Sequence, residues 1–365
     1  MKIIDVRACQ PVTPTSPDDW RTSIGQILVA IDTDAGVTGY GVGGGGFAGI
    51  HVVRTVLRDT LLGKDPSQIE SLWQTMFDAT LAFGQKGLVL MAISGVDLAM
   101  WDLRGRTEQT SVCDLLGGAR QNRLPTYITV WDNDAMDEVA AAPHQGFKLH
   151  LGGQLPEEDG STDAFADRIA DQLTRARSAI GLDRELMADA WMKWSLEEAQ
   201  AVIARVADLN LSWLEEPLPV HDEAGYAELV RNSSVPIAGG EHEYTSAGFR
   251  HLAEQRLHTV LQPDVCWCGG MTELVRVYGI AAEFGLRVCP HRGAELWSLP
   301  AIAALDNGPA DPLAESGRPW MSWVAGQPSI ENGFVDVPDR PGFGVEIDEA
   351  SITAYPTPSY DEWRK

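Results

Sequence analysis

Five side chains able to do chemistry recur at nearly even intervals in the second half of the chain. Asp189, Glu215, Glu241, Asp264 and His291 each end an apolar run, with steps of 26, 26, 23 and 27 residues between them. One strand, one helix and two short loops take about that many residues. The spacing predicts five successive strand ends on a single rim. In a (β/α)8 barrel that rim carries the catalytic groups.

Three of the five are acids on neighbouring strand ends, Asp189, Glu215 and Glu241. Converging carboxylates repel one another unless a cation sits among them. An all-oxygen set suits Mg2+, or Mn2+ in its place, better than zinc. Any one of these acids alone reads as well as a helix cap; three at matched strand ends favour a metal. Asp264 and His291 form the next pair. A carboxylate bonded to one imidazole nitrogen fixes the tautomer and raises the basicity of the other nitrogen, which describes a general base.

Two further positions add to the rim. In Gly-Phe-Lys-Leu-His, Lys148 and His150 are two apart and share one strand face. Lys148 there binds a substrate carboxylate, serves as a second acid or base, or simply snorkels at the strand end. Glu315 ends the eighth candidate strand, where it hydrogen-bonds a developing enolate or has no role. Cys266-Trp267-Cys268 has no second cysteine pair to complete a metal site and reads as packing.

The elements that must position these groups follow from the pattern. Residues 1–42 read as three strands, with Asp-Ala-Gly at 34–36 as a hairpin turn. Pro11–Arg21 and Gly43–Gly49 read as mobile loops, candidate lids. Helical periodicity covers Val52–Leu62, Ile69–Leu81 and Gly87–Arg106. From Thr126 to Ala314 eight strand candidates alternate with amphipathic helices such as Asp163–Ile180, Leu196–Asp208 and Met271–Phe284. The expected fold is therefore α/β: a TIM-like (β/α) barrel behind an N-terminal α+β capping domain. A doubly wound sheet is the alternative, but no Gly-x-Gly-x-x-Gly follows the first strand. The expected divisions are a cap over 1–122, a modified barrel over 123–320 and a segment over 321–365 that returns to the cap.

Composition narrows the partners. A chain of 365 residues with 44% apolar content can bury a full core. The formal charge of −24 argues against nucleic acid and anionic membrane. It also means that an anionic substrate needs a local positive centre, which a bound divalent cation supplies. The five cysteines are odd in number and scattered, which fits a reducing cytoplasm. The first residues read as a strand and not as a signal-peptide pattern, and no uninterrupted apolar run reaches the length of a membrane span.

The chain resembles the enolase superfamily, mandelate racemase subgroup, and within it the L-rhamnonate dehydratase family. The runs that carry the resemblance are Ile93-Ser94-Gly95-Val96-Asp97-Leu98-Ala99-Met100-Trp101-Asp102-Leu103, Leu115-Leu116-Gly117-Gly118, Asp189-Ala190-Trp191-Met192, Trp213-Leu214-Glu215-Glu216, Gly240-Glu241-His242 and Gln262-Pro263-Asp264-Val265-Cys266-Trp267-Cys268-Gly269-Gly270. The resemblance implies Mg2+ on Asp189, Glu215 and Glu241, with a His291–Asp264 dyad as base. It implies dehydration of a sugar acid to a 2-keto-3-deoxy acid, Lys148 and Glu315 assisting. The alternatives are racemase, epimerase or cycloisomerase chemistry on the same fold, or a metal-binding scaffold without catalysis. Expected substrate contacts are His150, His242, Trp191, Arg292, Trp20 and Arg21. A dimer-based homo-oligomer, up to an octamer, is also implied. The chain departs from the family pattern in having Lys148-Leu149-His150 where many relatives have Lys-x-Lys. It also has Arg-Gly-Ala-Glu-Leu-Trp after His291, in place of a Gly-Ser-Ser type run.

Overall fold

The computed structural model describes residues 1–12, 24–131, 136–153, 161–293, 295–316 and 323–357. The sequence-predicted contacts Trp20 and Arg21, and most of the Pro11–Arg21 loop, lie outside the described residues.

The cap begins with an antiparallel meander of β1 (Ile3–Cys9), β2 (Ile27–Thr33) and β3 (Thr38–Gly43). Against it lies the Leu88–Glu108 helix, buried on nearly every face because the barrel covers its other side. Glycine makes this contact possible. Strand alternation puts Gly39, Gly41 and Gly43 on one face of β3. A Cβ at any of them would come within 2.3 Å of a backbone carbonyl of that helix, at Ala99, Gly95 and Met91 respectively. The expectation of a mobile Gly43–Gly49 loop is corrected accordingly. Gly43 ends a strand, and Gly46–Val52 is helical, running through a π-helical turn into Arg58–Leu61. These glycines serve close backbone approach, a use that composition alone does not separate from flexibility.

The barrel strands are β4 (Arg123–Val130), β5 (Gly146–His150), β6 (Glu185–Asp189), β7 (Trp213–Glu215), β8 (Ile237–Gly239), β9 (Val260–Leu261), β10 (Arg287–Val288) and β11 (Ala314–Ser316). Each pairs in parallel with the next from β4 to β10, and β11 pairs in parallel with β4. Among the described residues no ladder joins β10 to β11; Cys289 Sγ meets the Leu313 carbonyl at 3.2 Å there. The parallel order follows from helices that return the chain to the start of each strand. Their starts are fixed locally: Ser161 caps Thr162–Ile180, and Ser195 with Glu198 forms a capping box for Leu196–Val206.

The interior of the ring is filled by Tyr127, Met187, Trp213, Ala238, Val260, Cys289 and Leu313. Seven of the eight strands, or the approach to them, contribute one apolar residue. The exception is β5, whose inward residue Lys148 is 1% exposed. A larger core lies between strands and helices.

Cap and barrel meet along the Leu88–Glu108 and Gly270–Phe284 helices. Asp97 accepts hydrogen bonds from Thr272 N at 2.9 Å and Thr272 Oγ1 at 2.6 Å. Ser94 Oγ accepts from Gly269 N, and Trp73 Nε1 donates to the Gly269 carbonyl. The C-terminal segment also bridges the two parts. Phe334–Asp336 pairs antiparallel with β4, a bridge joins Pro11 to Ala354, and Glu349 binds Arg7 on β1.

Candidate active site

The period-two alternation of the strands sends Asp189, Glu215, Lys148 and His150 to one end of the ring. Asp189 and Glu215 are register partners on β6 and β7, and His150 is opposite Asp189 on β5. Glu241 follows β8, Asp264 follows β9, His291 follows β10 and Glu315 lies in β11. The structure thus gathers all five periodic residues, together with Lys148, His150 and Glu315, at the C-terminal rim. All the acids there are buried.

Lys148 is the electrostatic centre of the group. Its Nζ lies 2.7 Å from Glu215 Oε1 and 3.0 Å from Glu315 Oε1, above the Tyr127 ring. Burial opposes its charge, but Glu215 and Glu315 outweigh that and hold its pKa well above the usual lysine value. Glu215 is pinned on its other oxygen by Gln262 Nε2 at 2.6 Å and Trp213 Nε1 at 3.0 Å. Burial, followed by the like charges of Asp189, Glu241 and Glu315, pushes its carboxyl above the usual glutamate value, and Lys148 opposes them. Glu315 shows the opposite balance. Burial would raise it, but Lys148, His291, the Thr129 hydroxyl and the Arg292 backbone N–H hold it down to about 2.

His291 does not face Asp264. Its Nδ1 sits 2.8 Å from Glu241 Oε2, in a contact too poorly aligned to count as a directed hydrogen bond, and 3.3 Å from Glu315 Oε2. Burial would lower this imidazole, yet Glu241, Glu315 and Asp264 push it up to about 10. Asp264 accepts from Cys266 N through Oδ1, and its buried Oδ2 finds no hydrogen-bond partner among the described residues and lies 4.0 Å from Arg292 Nη1. The expected Asp264–His291 hydrogen bond is therefore corrected to an Asp264–Arg292 pairing beside a His291–Glu241 pairing. The physical reason is charge balance. Glu241 and Glu315 stand 2.8 and 3.3 Å from the ring Nδ1, while Asp264 has the Arg292 guanidinium 4.0 Å away.

Arg292, an expected substrate contact, is held at the rim by protein groups. Its backbone is left-handed (φ 54°), its Nε and Nη2 bind Glu295 at 2.9 and 2.8 Å, and Gln26 of the cap completes its shell. With the amide turned so that oxygen meets the guanidinium, Gln26 accepts from Arg292 Nη1 at 2.8 Å and also from Nη2. This clasp joins the residue before β2 to the rim.

The other expected contacts are at the rim. His150 Nδ1 lies 3.1 Å from Asp189 Oδ2. Trp191 donates its N–H to Asp189 Oδ1. His242 Nδ1 meets both oxygens of Glu216, at 2.9 and 3.1 Å, and its Nε2 lies 3.6 Å from Glu241 Oε1. Burial would lower His242, but Glu216 and Glu241 push it up to about 9. Glu216 was missed by sequence reasoning. Its left-handed backbone (φ 38°) directly after β7 turns its side chain back to the rim, which a strict alternation rule does not allow for.

The donor set fits a hard divalent cation. Ligand atoms of Glu215, Glu241 and His291 lie within 4.8 Å of one another, as do those of Glu216, Glu241 and His242. Asp189 stands beside Glu215 on the neighbouring strand. A carboxylate has about four lone-pair sites, so Glu215 can serve Lys148 and Gln262 and still coordinate.

The sequence matches two family models in series. Residues 4–117 match the mandelate racemase / muconate lactonizing enzyme N-terminal domain, and residues 132–351 match the enolase C-terminal domain-like family. The chain belongs to the mandelate racemase/muconate lactonizing enzyme family of the enolase superfamily. Members similar to it include L-rhamnonate dehydratase of Saccharopolyspora erythraea, 36% identical over 335 residues that cover 89% of this chain and 83% of that protein. Among solved members, rhamnonate dehydratase from Gibberella zeae complexed with Mg superposes with a TM-score of 0.84 at 28% identity, covering 96% of this chain and 94% of that one. The 3,6-anhydro-D-galactonate cycloisomerase from Zobellia galactanivorans superposes with a TM-score of 0.82 at 27% identity, covering 96% and 98%. Family membership accounts for the cap, the barrel and the acidic rim together.

Proposed function

We infer that this protein is a Mg2+-dependent hydro-lyase that converts an acid sugar to its 2-keto-3-deoxy acid. The observation that carries the reading is the buried set of Asp189, Glu215 and Glu241 on successive strands with His291 against it, in a chain so similar to L-rhamnonate dehydratase. Asp189, Glu215 and Glu241 would hold Mg2+, and Mn2+ could replace it. The chemistry this cation supplies is neutralisation, both of the three carboxylates and of the charge that grows on the substrate carboxylate as C2 loses its proton.

The chain's own groups do the rest. His291 takes the proton from C2. Lys148, fixed as a cation between Glu215 and Glu315, lowers the cost of the negative charge that develops. The C3–O bond then breaks, and the departing hydroxyl leaves as water with the proton returned by His291. The enol tautomerises to the ketone. Asp264 and Arg292 flank His291 and fix its surroundings.

A second reading, racemisation or cycloisomerisation of a carboxylate, has support from the Zobellia cycloisomerase likeness. Racemisation requires a base on each face of C2. Lys148 is the candidate opposite His291, and Glu215 and Glu315 at 2.7 and 3.0 Å engage its ammonium, which favours elimination with His291 as the single mobile group. A screen of mono- and diacid sugars with Mg2+ for semicarbazide-reactive product tests the reading. It expects one or a few acids to give 2-keto product; epimerised acid without keto product would replace it.

A further inference from the structure

Two tryptophans that the proposed chemistry leaves unused stand at the mouth of the barrel. On β4 and its continuation, Tyr127, Thr129 and Trp131 share one inward row. Tyr127 belongs to the ring interior and the Thr129 hydroxyl binds Glu315, so Trp131 is the next step outward. Trp131 is 70% exposed, and its ring lies 4.3 Å from that of His150, the outermost inward residue of β5. The Trp191 ring lies 6.3 Å from His150 and is 38% exposed. Backbone strain holds Trp191 there. Trp191 (φ 46°) and Met192 (φ 63°) are consecutive left-handed residues, tied down by hydrogen bonds from Trp191 N to Asp189 Oδ1 and from Met192 N to the Glu216 carbonyl. Such strain persists where surrounding structure enforces it, and it concentrates at binding sites. Exposed indoles on either flank of His150 are apolar surface at a water-facing rim.

The position relative to His291 gives this surface a use. In a ring of eight strands, β6 and β10 are four apart and so face each other. A substrate held by the carboxylates with His291 on one side presents its other side to β5 and β6, which carry His150 and lead to Trp191, and its edge to β4, which leads to Trp131. We propose that Trp131, His150 and Trp191 form a stacking platform for the C–H face of the substrate carbons beyond C3, selecting five- and six-carbon acid sugars over three-carbon hydroxy acids. The proposal rests on the acid-sugar reading of the site.

The test measures equilibrium binding to a His291→Asn background with Mg2+, using L-rhamnonate as the six-carbon probe and D-glycerate as the three-carbon probe. Trp131 is exposed, so its replacement leaves the core intact. Trp131→Ala should weaken L-rhamnonate by about tenfold, the scale of one aromatic contact. D-Glycerate should change by less than about twofold on the same scale, and Trp131→Phe should restore L-rhamnonate binding. An equal loss for both acids, or no loss for either, overturns the platform while leaving the acid-sugar reading standing. If the background binds neither acid, nor any five- or six-carbon acid sugar, the acid-sugar reading falls and the platform falls with it.

Discussion

Lys148 Nζ and Glu215 Oε1 form an ion pair of 2.7 Å with side chains only 2% and 1% exposed. Removing one partner of a buried pair leaves the other charge uncompensated, which typically costs about 3–5 kcal/mol. Lys148→Met should therefore lower stability on that scale and abolish activity. Denaturant unfolding checks the first outcome, and product formation the second. A variant as stable as the parent would show that the pair is not under the strain its burial implies.

Chelation addresses the acidic rim. EDTA should remove activity, and Mg2+ should restore it. Bound Mg2+ should also raise the thermal midpoint, because a ligand that binds only the native state stabilises it. Glu241→Gln should lose that thermal response. Activity unchanged by EDTA would contradict the metal assignment.

The Gln26–Arg292 contact spans cap and barrel. Gln26→Ala and Arg292→Lys should each reduce activity, and the double variant should lose less than the sum of the two. Contacting residues couple by about 0.5–3 kcal/mol in such cycles. Strict additivity would mean that the two side chains act independently.

Asp97 provides a pH signature at the cap–barrel seam. Burial raises its carboxyl from 3.8 to about 7, against the hydrogen bonds from Thr272 that lower it. A raised acid binds its proton more tightly in the folded state. Its contribution to stability is thus complete below about pH 4, declines as pH rises and is gone above about pH 7. Asp97→Asn should flatten that part of the stability–pH curve. An unchanged slope in the variant would place its origin elsewhere.

The strand-end acids and His291 were legible in the sequence because the β/α repeat is periodic and each residue type is chemically distinctive. Trp101 and Asp97 sit in a helix whose burial its apolar composition announced. The pairing around His291 was not legible: neighbouring strands bring Asp264 and His291 close, but which carboxylate the ring meets depends on its own neighbour Arg292 and on Glu315 of β11. Gln262 and Trp213, which pin Glu215, and Glu216, which holds His242, are recognised only by three-dimensional contact. The glycines of β3 misled because a packed glycine and a flexible one look alike in one dimension.

The central claim is that His291 moves the proton at C2. The most direct measurement compares 2-keto product formation by parent and His291→Asn on the best acid sugar, with Mg2+ present and the fold verified by thermal unfolding. Loss of a general base predicts a fall of about 10²–10⁴-fold or more. Turnover by the variant close to that of the parent would contradict the account.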